Sequence, residues 1–139
     1  ISIIKINADL ERMGDQCVNI AHSAKDFIER RGSFSLQEIQ AMAKIAQGMI
    51  KDALDCFVTR DGVKAQAVLM TDDELDQKKQ DVFKTMVQTM KQDPEVVEPA
   101  MDLILIARNL ERMGDHATNI AEDVIFFSTG KDVRHGKFT

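Results

Sequence analysis

Apolar residues recur along this chain every three or four positions, the period of helices that each bury one face. The first such segment runs from about Ile1 to Glu29, with Ile3, Ile6, Leu10, Met13, Val18 and Ile20 as its apolar set. Arg30 and Arg31 suit a helix C-terminus, and Gly32 suits a stop. Ser35 and Glu38 have the spacing of a capping box, with Phe34 placed to staple onto Ile39. Ile39, Met42, Ala46, Met49, Ala53 and Phe57 then predict a helix from Ser35 to about Thr59. Asp61-Gly62 reads as a turn, and a third helix follows from about Val63 to Lys91. Asp93-Pro94 reads as the N-cap and first residue of a fourth helix. Pro99 allows a start there instead, after a lead-in turn. This helix continues to about Ser128, with Gly130 as its stop. Short connectors make consecutive helices antiparallel neighbours, so the expected fold is an all-α, antiparallel helical bundle.

A repeat is superimposed on this pattern. Ile6 to Ala21 reads INADLERMGDQCVNIA and Ile106 to Ala121 reads IARNLERMGDHATNIA, identical at ten of sixteen positions with no gap. The unit is too long for a solenoid, which points to a duplicated domain. The second copy has three helices with the motif on its last, whereas the first shows only that last helix. Its two earlier helices would precede Ile1 and occupy on the order of 70 residues. Residues 1–32 are therefore expected to be the last helix of an incomplete first repeat. Residues 33–139 are expected to be a complete three-helix second repeat with a C-terminal tail.

The repeated motif carries the candidate chemistry. Glu11, Asp15 and Asn19 follow one another at four-residue steps, as do Glu111, Asp115 and Asn119. Residues at i, i+4 and i+8 stack along one side of a helix, so each copy presents a column of oxygen donors beside its apolar stripe. On the last helix that stripe is Leu103, Ala107, Leu110, Gly114, Ala117 and Ala121. Like charges at this spacing repel by roughly a few tenths of a kcal/mol unless a cation intervenes. The third helix adds Asp72 and Asp76, which fall on or beside its own stripe of Ala65, Val68, Leu75, Val82, Met86 and Met90. A carboxylate on a core-side position is costly to bury unpaired. Four carboxylates on neighbouring helices suit a hard cation with oxygen ligands, namely Mg, Ca, Mn or ferric iron. Three plainer readings stand beside this one: solvated surface acids, neutralisation by Arg12 and Arg112, and a helix restart at Thr71 with Glu74 as its capping box. Glycine inside a helix costs roughly 1 kcal/mol, so Gly14 and Gly114 imply close helix–helix approach.

Composition narrows the classes. The net charge of −5 argues against nucleic-acid binding. The two cysteines, Cys17 and Cys56, are too few for a disulfide framework and fit a reducing compartment. No Glu-x-x-His pair occurs, which argues against ferritin-like oxidation chemistry, and no P-loop or nucleophile elbow occurs. A carboxylate-bridged metal hydrolase is the alternative from another class, without an evident supporting His or general base.

The duplicated LERMGD with its trailing Asn, the Asp72-x-x-x-Asp76 pair and the ending VIFFSTGKDVRH resemble the C-terminal part of the PhoU family. These are accessory regulators of bacterial phosphate-specific transport. The resemblance implies two similar three-helix bundles side by side, with E(D)xxxD motifs that bind multinuclear metal clusters. Carried across, Glu111 with Asp115, Asp72 with Asp76, and Glu11 with Asp15 would be ligands, with Asn119 and Asn19 as additional ones. It further implies a non-enzymatic, cytoplasmic protein, peripheral to the membrane. The expected partners are the ATPase of the phosphate ABC transporter and a sensor histidine kinase. The apolar face of the first helix lacks its own repeat's partners and could dock on the remaining three helices or on another chain. Such a stripe favours self-association, so a homodimer is expected. The alternative within the resemblance is a cytoplasmic PhoU-type domain of a sodium–phosphate cotransporter.

Overall fold

The computed structural model describes residues 2–129. Four helices follow one another: α1 (Ser2–Glu29), α2 (Gln37–Thr59), α3 (Gly62–Gln92) and α4 (Val97–Thr129), with a single 3-10 turn (Pro94–Val96) leading into α4. None of these helices is long and apolar enough to cross a membrane. The predicted stop at Gly130 lies outside the described residues.

Several helix ends differ from the sequence expectation, each for a local reason. α2 begins at Gln37 and has no side-chain cap, so the Ser35–Glu38 capping box does not form. Ser35 Oγ instead accepts the Gln37 N–H at 3.4 Å. Phe34 packs beside Phe27 from α1, with ring centroids 6.2 Å apart. Asp61 is more than a turn residue. Its Oδ1 accepts the N–H groups of Val63 and Lys64, both at 3.1 Å, and so caps α3. α4 begins at Val97, because the first turn of a helix tolerates Pro99. The left-handed residue that ends α1 is Arg31 (φ 54°) rather than Gly32. Gly32 is required sterically, since a Cβ there would run into the Phe27 ring. α3 is continuous through residues 71–74. Thr71 Oγ1 donates back to the Ala67 carbonyl, so the helix does not restart at that point.

α2, α3 and α4 pack on one another as a three-helix unit, and α1 lies against α4. Met42, Val68, Leu75, Leu103, Ile120 and Ile125 are almost fully excluded from solvent and define the core between α2, α3 and α4. Every stripe residue named for α4 is buried. On α1 the apolar set divides. Ile6 and Met13 are buried against α4, whereas Ile3 and Val18 remain 68% and 55% exposed, because a helix resting on one neighbour covers only one side.

The α1–α4 contact also carries polar pairs that obey the repeat. Asn19 donates to Asn109 Oδ1 (3.5 Å), and Asn119 donates to Asp9 Oδ1 (3.4 Å). Positions 19 and 109 correspond to 119 and 9 under the hundred-residue offset, so the two bonds are exchanged by a pseudo-two-fold axis. Gln16 Nε2 and His116 Nε2, which occupy the same repeat position, lie 3.4 Å apart near that axis. His116 Nδ1 also meets Asp9 Oδ1 at 2.9 Å. Lys5 with Asp123 (3.5 Å) and Arg30 with Asp102 (2.6 Å) close the two ends of this antiparallel seam. Side-chain hydrogen bonds of this kind specify register more than they add stability, since each must offset the desolvation of its partners.

Candidate metal centre

Asp72 and Asp76 sit one turn apart on α3, and Glu111 and Asp115 sit one turn apart on α4. The helices approach closely here because α4 carries Gly114 at the crossing. A Cβ on Gly114 would stand 2.5 Å from Leu75 Cδ2 and 3.5 Å from Asp72 Oδ1. The glycine thus lets α3 press its carboxylate against the backbone of α4. All four acids are partly buried.

Mutual repulsion and burial leave a clear electrostatic signature. The Asp115 carboxyl is pushed up to about 7, first by burial and then by Glu111 and Asp72. Side-chain hydrogen bonding with Glu111 acts in the same direction. Asp72 is also raised, by burial first and then by Glu111, Asp73 and Asp76. Its Oδ1 is sealed from solvent and has no hydrogen-bond partner. Lys79 opposes these shifts on both residues. Its Nζ lies 3.4 Å from Asp76 Oδ1 and 3.8 Å from Glu111 Oε2. Arg12 and Arg112, the neutralising candidates in the sequence, form no ion pair among the described residues. Lys79 takes that role instead, and sequence reasoning misses it. The available signal is its spacing, i+3 from Asp76 and i+7 from Asp72, which keeps it on the same side of α3.

The donors are all carboxylate oxygens, the set a hard cation requires. An orphaned buried oxygen and an elevated carboxyl are what such a set shows when only one ammonium balances it. Among the described residues, no three Asp, Glu, His or Cys donors already close on one point in metal-ligand geometry. The acids are gathered, and Lys79 lies between two of them.

The remaining predicted ligands lie elsewhere. Asn119 turns toward α1 and bonds Asp9, and Asn19 bonds Asn109. Both side chains reach across the seam rather than into the acidic cluster. Glu11 and Asp15 are exposed on α1, and among the described residues they face no α3-like acid pair. A Cβ added to Gly14 would meet nothing within 4 Å, in contrast to Gly114. The close approach inferred for both glycines therefore exists at only one. Asp9, Gln16, Asp102, Asn109 and Asp123 are also buried and belong to the seam.

An all-helical bundle with a repeated acid-bearing helix and a carboxylate cluster at a two-helix contact is the class these observations define. Residues 39–124 match the family model described as the PhoU domain. The chain belongs to the PhoU family. It is 37% identical over 134 residues to a phosphate-specific transport system accessory protein PhoU homolog of Caulobacter vibrioides, covering 96% of this chain and 58% of that protein. A Pseudomonas aeruginosa homolog of the same description is 37% identical over 136 residues, covering 97% and 56%. The crystal structure of PhoU from Pseudomonas aeruginosa superposes with a TM-score of 0.90 at 34% identity, covering 94% of this chain and 63% of that one. PhoU from Streptococcus pneumoniae, described as a phosphate transport system regulatory protein, gives 0.85 at 28% identity, covering 96% and 63%. The chain thus spans a little over half the length of these relatives.

Proposed function

We propose that this chain is part of a non-catalytic accessory regulator of phosphate uptake, and that its α3–α4 carboxylate cluster holds a hard metal cation. The observation that carries the metal reading is the gathering of Asp72, Asp76, Glu111 and Asp115 at one contact, with Asp72 Oδ1 buried and unpartnered. Family membership and the accessory role named for its relatives support the regulatory reading. Asp72, Asp76, Glu111 and Asp115 would be the ligands, and Lys79 would yield its place beside Asp76 and Glu111. A cation bound there supplies positive charge with which an oxyanion can pair. In this reading the protein acts at the cytoplasmic face of the membrane, on the transporter ATPase and a sensor kinase.

The test is metal content and calorimetric titration with Fe, Mn, Mg and Ca for the wild type and Asp115→Ala. Wild type should bind at least one of these ions, and the variant should lose most of that metal. Equal content in both proteins removes the ligand role. A phosphate-starvation reporter then tests regulation. The intact gene should repress it at high phosphate, and the Asp115→Ala gene should repress it less.

A further inference from the structure

Beside the carboxylate cluster, α3 and α4 leave an open groove of about 590 Å³. Phe83, Ile104 and Ala107 line it as an apolar strip. Phe83 is 53% exposed, unusual for a phenylalanine in a chain with so few aromatic residues. Lys84 on the α3 wall and Arg108 and Arg112 on the α4 wall also line it, and all three are exposed. None of these three cations forms an ion pair among the described residues. That is notable in a protein of net charge −5, where acids are abundant. Met101 and Leu105, within a turn of Ile104 on α4, are exposed as well (42% and 39%).

We propose that this α3–α4 groove docks an acidic amphipathic helix of a partner protein. Two parallel walls of helix with an apolar floor fit a rod laid between them, the helix-in-groove mode. Arg108 and Arg112 are one turn apart, matching acids spaced i and i+4 on the incoming helix. Its apolar side covers Phe83 and Ile104. A free inorganic anion would satisfy the arginines and leave that strip wet. A flat lipid surface would not enter the concavity. Glu111 and Asp115, further along the same α4 wall, repel acids, so the acidic side of the occupant faces Lys84 and Arg108. The proposal rests on the accessory-protein reading, and the groove shares Glu111 and Asp115 with the metal reading.

The test uses a labelled synthetic peptide of about 18 residues, helical in design, with leucines on one face and glutamates flanking them. Fluorescence anisotropy follows its binding, and amide NMR locates it. Binding should be saturable, map to α3 and α4, and weaken about tenfold in Arg108→Glu and in Phe83→Ser. Both residues are exposed, so circular dichroism should show an unchanged helical fold. Lys84→Glu on the opposite wall provides an independent variant with the same expected loss. A peptide of equal composition in scrambled order should bind at least about tenfold more weakly, since an amphipathic face is required. Equal binding of the scrambled peptide overturns the proposal. So does tighter capture by phosphatidylglycerol vesicles than by the peptide, or a change of the chain's own oligomeric state in Phe83→Ser, which would make a second copy the occupant. Metal content separates the two readings: a chain that binds metal and ignores the peptide loses the groove and keeps the metal centre.

Discussion

Asp115→Asn should make the metal-free protein more stable while removing its response to metal. The asparagine keeps the shape of the side chain and cannot ionise. In the wild type the carboxyl is moved from 3.8 to about 7 by burial, Glu111 and Asp72. That displacement sets an upper bound of about 4 kcal/mol on the disfavoured ionisation. Asp115 is partly open to water, so screening reduces the expected effect to about 1–2 kcal/mol. The sign follows from proton binding. Below about pH 4 the residue is protonated in both folded and unfolded chains, and the ionisation penalty is absent. Between pH 4 and 7 the unfolded chain releases its proton before the folded one, so wild-type stability falls as pH rises. Above pH 7 the full penalty persists. The stability gap between variant and wild type should therefore open from pH 4 to 7 and then level off. Urea denaturation followed by circular dichroism, with chelator present, measures it. At pH 8 the variant should melt about 3–8 °C higher. Metal at a hundred times its Kd should then stabilise the wild type by about 2.7 kcal/mol and leave the variant unmoved. A variant less stable than wild type at pH 8 in chelator, or a gap that ignores pH, would refute the claim that these carboxylates repel one another.

Two further outcomes are expected. Gly114→Ala should destabilise by about 1–3 kcal/mol, because its Cβ meets Leu75 and Asp72, whereas Gly14→Ala should stabilise this chain by roughly 1 kcal/mol through helix propensity alone; thermal melts of the two variants compare them directly. At pH 8 a thiol reagent should titrate one cysteine in the folded protein and two after denaturation. Cys17 is exposed, whereas Cys56 is buried and its thiol is pushed up to about 11, chiefly by that burial.

Helices, their order and their buried stripes were legible in the sequence, because apolar periodicity reports directly which side of a helix leaves water. Met42, Leu75 and Leu103 reached the core as that pattern requires. The acids of the cluster were legible too, since Asp72 and Asp76 interrupt an apolar stripe and four-residue spacing keeps each pair on one side. Helix ends were less so. A capping box at Ser35 competes with the packing of Phe34 on Phe27, and the pattern alone does not weigh the two. The fate of the asparagines lay beyond any one-dimensional reading. Asn19 and Asn119 have the same spacing from their acids as ligands would, yet the packing of α1 on α4 turns both into seam contacts. Lys79 is a parallel case: its spacing places it beside Asp76 on α3, but its pairing with Glu111 exists only once α4 has packed. A single chain's periodicity says which face of a helix is covered. Which neighbour covers it, and at what register, depends on interactions between residues far apart in sequence, and those exist only once the helices have packed.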